Sequence, residues 1–204
     1  MKRLALALAL AQAGCIAAPF ALPPTQVEVG TGWRDSGRGR DVPLDARVGL
    51  SPLGWSPEMM TRDVDFTAGY MYQWGRNRTI EGGWLDGGGR IASTRIGEHS
   101  VGRISAHAQI RLLAANDSTV LGRGAAFRMM AEIASFANGP FESSGSDGGA
   151  FGFAYGEGSA GIYGETSYAD IGGTAIWTAT AGLVFRLPIF AGVVWACCYF
   201  PGKK

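Results

Sequence analysis

The chain has 204 residues, 47 % of them hydrophobic, and a formal net charge of +1. That length allows one domain with its own core, or one small barrel, and the near-neutral charge excludes a general attraction to nucleic acid. Its 32 glycines are spread through patterned segments, which suits a β protein with many turns rather than one flexible linker.

The chain opens MKRLALALALAQAGC. Lys2 and Arg3 give a positive start, residues 4–11 an apolar run too short to span a bilayer, and Ala13 and Gly14 a small-residue site before Cys15. Residues 1–14 are therefore expected to be a bacterial secretory signal, with the mature chain working outside the cytoplasm. Ala13-Gly14-Cys15 resembles the lipobox of bacterial lipoproteins, although Gln12 stands where that family usually has an aliphatic residue. The resemblance implies cleavage before Cys15 and lipid attachment to it. It also implies outer-membrane sorting, because Ile16 replaces the aspartate that retains many such proteins at the inner membrane. Simple cleavage at Ala11-Gln12-Ala13 is the alternative.

Residues 15–43 are expected to form a tether, since they hold Pro23-Pro24 and then GTGWRDSGRGRD. Arg34, Arg38 and Arg40 could lie near anionic headgroups, but Asp35 and Asp41 offset much of their charge and favour a solvated linker. Residues 44–200 are expected to form a β-barrel domain, and residues 201–204 a basic tail.

In that domain apolar and polar residues alternate. Along 63–74 (DVDFTAGYMYQW), Val64, Phe66, Ala68, Tyr70, Tyr72 and Trp74 fall on one side, which predicts a strand with one apolar face. The pattern returns over 103–112, 123–135, 151–155 and 174–187. Over 123–135 the Ala, Met and Glu residues also tolerate helix. Weaker strands are expected at 46–53, 79–85, 90–96 and 159–168. Asp86-Gly87-Gly88-Gly89 reads as a tight hairpin turn, Asn116-Asp117-Ser118 and residues 170–173 as turns, and residues 138–149 as a long polar loop. Residues 181–200 are apolar enough to span a bilayer, but Arg186, Pro188 and the β-branched residues favour two strands broken near Pro188. The second of these has no polar face.

The sum is an all-β, antiparallel, up-and-down β-barrel of about eight strands. Strands of ~9–13 residues with one apolar face match transmembrane β-strands. Tyr70, Tyr72, Trp74 and Trp177 at strand ends match an interfacial aromatic girdle. The opposite faces carry Asp63, Asp65, Arg103, His107, Arg111, Arg128, Glu132 and Arg186, which are expected to form an interior polar network without a wide channel. Over residues 44–200 the pattern resembles the small outer-membrane β-barrels of Gram-negative bacteria. Such barrels usually end on an aromatic residue, whereas Phe200 here precedes Pro201-Gly202-Lys203-Lys204. Period two does not say which face is inside, so a soluble, lipid-anchored barrel or sandwich with an apolar core is the alternative.

Cys197 and Cys198 are adjacent, so a bridge between them would be strained, and the chain is not read as a disulfide scaffold. No Cys or His spacing suggests zinc, no phosphate or dinucleotide loop is present, and no cofactor is expected. Ser105 and His107, two apart on one strand face, are the one enzymatic pair, with Glu132 a carboxylate that could orient the histidine. The membrane-embedded lipid A deacylases of the small-barrel class use a Ser/His/acid set, and a comparable role implies a reachable His107. The pair also fits as two polar members of an interior row, so no catalytic residue is assigned. Three functions remain: a structural or interaction protein of the outer membrane, an acylated accessory lipoprotein in a larger envelope complex, and a lipid-modifying enzyme. The expected partners are membrane lipid and other envelope proteins.

Overall fold

The computed structural model describes residues 15–37, 39–51, 63–145 and 148–197. They form eleven strands and no helix: β1 (Cys15–Leu22), β2 (Thr25–Asp35), β3 (Arg40–Asp41), β4 (Leu44–Leu50), β5 (Val64–Trp74), β6 (Ile80–Arg95), β7 (Ser100–Ala115), β8 (Gly122–Gly145), β9 (Gly148–Ile171), β10 (Thr174–Leu187) and β11 (Ile189–Cys197). β2, β4, β5, β6, β7, β8, β9 and β10 pair antiparallel in succession. β10 then closes on β2, with Trp177 opposite Asp35 and Leu187 opposite Thr25. The result is a barrel-like ring of eight strands.

Which face is inside follows from burial. On β7, Arg103, Ser105, His107, Gln109 and Arg111 are buried, while Ile104, Ile110 and Leu112 are exposed at 45, 63 and 58 %. The same parity holds around the ring: Val29, Val48, Phe66, Leu85, Phe127, Ile162 and Leu183 point outward and charged residues point inward. The alternative of an apolar core within a polar surface is thus overturned. The larger apolar part of the interior lies at one end, where Met71, Ile80, Trp84, Leu113, Ile171 and Ile176 cluster; a smaller cluster, Met130, Tyr163 and Val184, is buried among the charged residues. On the outside, the ring strands carry no charge from Asp35, Glu81, Arg123 and Asp170 at the end with the larger cluster to the opposite rim, where Asp63 and Arg90 stand at the mouth of the lumen. Along β6 this band runs from Glu81 to Arg90, nine steps, about 23 Å of height at a rise of ~3.3 Å and the usual barrel tilt. Trp33, Tyr70, Trp74, Tyr168 and Trp177 lie outward near the first rim, and the Tyr168 and Trp177 rings meet at a tilt, 4.9 Å between centroids.

Four strands outrun the ring. β1 pairs with β11 (Leu22 opposite Phe190), β11 with the first third of β9 (Val193 opposite Phe151), and that with residues 138–145 of β8 (Phe153 opposite Pro140). These segments form a four-stranded flap beyond one end of the ring. The boundary is marked on every strand it crosses except β8: Pro23-Pro24 between β1 and β2, Pro188 between β10 and β11, and Gly156 (φ 111°) in β9. Opposite Pro188, β9 holds one extra residue, because Arg186 faces Ser159 but Ile189 faces Tyr155. The burial parity of β9 switches there, from odd positions in the ring to even ones in the flap.

Several expectations are corrected. Residues 15–43 are paired strand for the most part, not tether: β1 lies in the flap, and β2 is ring wall that puts Gln26, Glu28 and Arg34 inside and Val29 and Trp33 outside. The alternation was hidden because the inward residues between them are Gly30 and Gly32. Arg34 is fully buried rather than solvated or near headgroups, whereas Arg40 is exposed; Arg38 lies outside the described residues. Asp86–Gly89 is no turn. It lies within β6, paired with β5 and β7, and position 88 is glycine because a Cβ there would collide with the His107 ring. The weak strands at 79–85 and 90–96 are therefore one strand, and those at 151–155 and 159–168 are likewise one. The expected loop 138–149 is mostly paired, as β8 runs to Gly145 and β9 starts at Gly148. Residues 123–135 are strand, and the break at Pro188 falls where the sequence placed it. The signal segment 1–14, Phe200 and the tail 201–204 lie outside the described residues.

Candidate functional site: a charged lumen

Each ring strand sends every second residue inward, so the lumen is filled by layers of side chains. In the middle layer, Arg128 from β8 donates to both carboxylate oxygens of Glu28 from β2, at 2.9 and 2.7 Å. Arg47 from β4 bridges Asp45 on its own strand, at 3.0 and 2.5 Å, and Glu165 across the lumen on β9, at 2.6 and 2.9 Å. Arg111 also reaches Glu165, and Gln73 donates to Asp45 at 2.9 Å. The Tyr163 ring lies near two guanidiniums, with the Arg128 carbon 4.7 Å and the Arg47 carbon 5.6 Å from its centroid. Gly30 and Gly182 make the space, since a Cβ on either would strike this tyrosine.

The layer nearer the flap has its own network. Arg103 reaches Glu157 at 2.8 Å and Glu132 at 3.2 Å, Arg186 pairs with Asp65 and with Glu132 at 3.0 Å, and Ser159 donates to Glu132 at 2.8 Å. At the opposite end, Arg34 grips Asp41 at 2.9 and 2.7 Å, and Arg78 reaches Asp117 at 2.7 Å, over the apolar cluster. Burial opposes ionisation of Asp41. The Arg34 guanidinium and the backbone N–H groups of Asn77 and Arg76 outweigh it and hold the carboxyl below its usual value.

Between the two layers, His107 Nδ1 lies 2.6 Å from Asp86 and Nε2 2.9 Å from Ser105 Oγ. This is the spacing of a serine–histidine–aspartate relay, with Asp86 from β6, not Glu132, as the orienting acid. Glu132 is occupied by Arg103, Arg186 and Ser159 in the next layer. Ser105, His107 and Asp86 are 3, 2 and 3 % exposed. The adjoining crevice, lined by Asp63, Asp65, Arg90 and Arg103, has about 10 Å³, room for one water and not for an acyl chain. The expectation that an enzymatic His107 be reachable is not met by this arrangement. As it stands, the trio orients an imidazole within a packed row.

Of the eight residues expected in the interior, Asp65, Arg103, His107, Arg111, Arg128, Glu132 and Arg186 are inside and buried. Asp63 is the exception: its side chain is 77 % exposed and pairs with Arg90 at the rim. It precedes β5, and although its carbonyl still accepts from the Arg90 N–H at 2.9 Å, its side chain lies at the open rim. Sequence reasoning missed Arg47 and five carboxylates, Glu28, Asp45, Asp86, Glu157 and Glu165, which supply most of the anions. All but Glu157 alternate with outward residues, the signal that would have found them once glycine was counted as neutral. Cys15 begins β1, with its backbone opposite Cys197. Among the described residues, no cluster of His, Cys, Asp and Glu is placed to hold a metal, and no helix is long and apolar enough to cross a membrane. No protein-family model and no curated protein matches the chain.

Proposed function

We propose that the protein is a structural or interaction component of the bacterial outer membrane, a small side-chain-filled β-barrel without an open pore. The observation that carries this reading is the inversion of the ring. Its outer wall is an uncharged band about as tall as an outer-membrane barrel's apolar belt, and its interior is a network of paired arginines and carboxylates. In water such a wall would be one continuous exposed apolar surface, far beyond what soluble monomers carry. In lipid every backbone group of the wall is satisfied by ring closure. The signal-like start and Cys15 support export and a lipid anchor that adds to the barrel's own hold on the membrane.

The test is fractionation of the wild type and Cys15→Ala from a Gram-negative host, with gel migration of boiled and unboiled samples. The reading expects Cys15→Ala to stay in the outer-membrane fraction, to require detergent and to shift on boiling. A soluble, non-shifting Cys15→Ala protein contradicts it and supports the lipid-anchored accessory role. Planar-bilayer recordings are expected to show no stable conductance, because the lumen is occupied by side chains.

A further inference from the structure

The flap is built differently from the ring. Its four segments, residues 15–22, 138–145, 148–155 and 189–197, contain one charged residue, Glu142. On the face continuous with the lumen, Phe141 packs against Phe190 at 5.6 Å and Phe20 at 6.4 Å, over Gly152 and Gly192. That face closes on itself. The other face continues the outer wall, since the outward positions of β10 (Leu183, Phe185, Leu187) run on into Ile189, Ala191 and Val193 of β11. There Phe151, Phe153 and Val193 stay exposed at 55, 46 and 38 %.

Strand addition is a poor way to cover this surface. Among the described residues both open edges, β1 and the end of β8, carry a proline, Pro19 and Pro140, which removes a donor from each. Immersion in hydrocarbon is excluded too, because those edges leave backbone groups unpaired. This face also carries Glu142, opposite Phe151 on the edge strand, and what suits an apolar face with a charged, wet edge is the boundary between headgroups and acyl chains, where water reaches the edge and lipid covers the rest.

We infer that the outward face of the flap, around Phe151, Phe153 and Val193, rests on the headgroup–acyl boundary of the same bilayer that surrounds the ring. The inference rests on the membrane-spanning reading above. The flap then acts as a foot spread on the leaflet, and the prolines and Gly156 along its base are where the sheet leaves the line of the wall.

The full-length protein, reconstituted in phosphatidylcholine–phosphatidylglycerol vesicles, tests this with a photo-crosslinking residue. p-Benzoylphenylalanine replaces Phe151 on the outward flap face, Phe141 on the inward face, or Phe127 on the ring wall, and adducts are identified by mass spectrometry. Heat-modifiable migration checks that each variant folds, and Phe153 replaces Phe151 if that variant does not. The expected result is lipid adducts at positions 151 and 127 and none at 141. A lipid adduct at 127 with none at 151 overturns the inference and leaves the spanning ring intact. A cross-linked dimer through 151 overturns it in favour of a second copy on this face. Absence of lipid at 127 overturns the spanning reading, and the inference with it.

Discussion

β8 and β9 each belong to two different structures. In the ring, β9 turns Ser159, Tyr163, Glu165 and Ser167 inward; in the flap, the same strand carries GGAFGFAY with no charge at all. The difference teaches that strand alternation is not a property of the strand. It is imposed by having a lumen on one side, where side chains must fill a closed space and satisfy one another. Once the strand leaves the ring, neither requirement applies. This also accounts for β11, whose uniform apolarity has no place in a polar-filled barrel and needs none in the flap.

The comparison is broken most severely by attacking the lumen. Glu165→Leu strips Arg47 and Arg111 of a shared buried carboxylate, and a cost of about 3–5 kcal/mol is expected. Urea unfolding in detergent, followed by loss of heat-modifiable migration, measures it; an unchanged midpoint would show that the network does not hold the ring. On the opposite face of the same wall, Ile110→Arg puts a charge in the outward band. It should cost about 2–4 kcal/mol in a bilayer, with little loss in a detergent that lets the side chain reach water.

Smaller effects sharpen the contrast. His107→Ala leaves Asp86 with Gln109 at 3.3 Å and a more distant Arg128, and about 1–3 kcal/mol is expected. Fluorophosphonate should not label Ser105 in the folded protein, since its hydroxyl adjoins space for one water. Labelling that Ser105→Ala abolishes would reopen the enzymatic reading. In the flap, Phe141→Ala should leave the unfolding midpoint of the ring nearly unchanged, within about 0.5 kcal/mol, because its partners Phe20 and Phe190 lie outside the ring. At the far rim, the Asp41 carboxyl is held below the free value of about 3.9. Its contribution is therefore full above that pH and is lost as pH falls through the folded value. Asp41→Asn should flatten the acid limb of stability against pH.

Where an inward residue was a charge or amide and an outward one apolar, the sequence was legible: β5, β7 and β10 stand within a few residues of where the alternation puts them. It failed where the interior needed empty space. Gly30 and Gly32 made β2 look like a tether, and Gly87 to Gly89 made the middle of β6 look like a turn, although the gap at Gly88 is what admits His107. Lumen partners were legible as a set but not as pairs. Glu132 was matched to His107, but the stagger of the strands brings Asp86 there. The flap was invisible because its boundary depends on Pro23-Pro24, Pro188 and Gly156 aligning across strands far apart in sequence.

The most direct test of the central claim, that the wall faces lipid and the lumen holds the charge, is a position-by-position scan along β7. Single cysteines replace residues 103–112 in turn in a cysteine-free chain in vesicles, and each is labelled with a fluorophore after unfolding and refolding. Quenching by nitroxide lipids should rise and fall with period two, strong at 104, 106, 108, 110 and 112 and weak at the odd positions between them. Quenching of the opposite parity, or none at any position, would contradict the account.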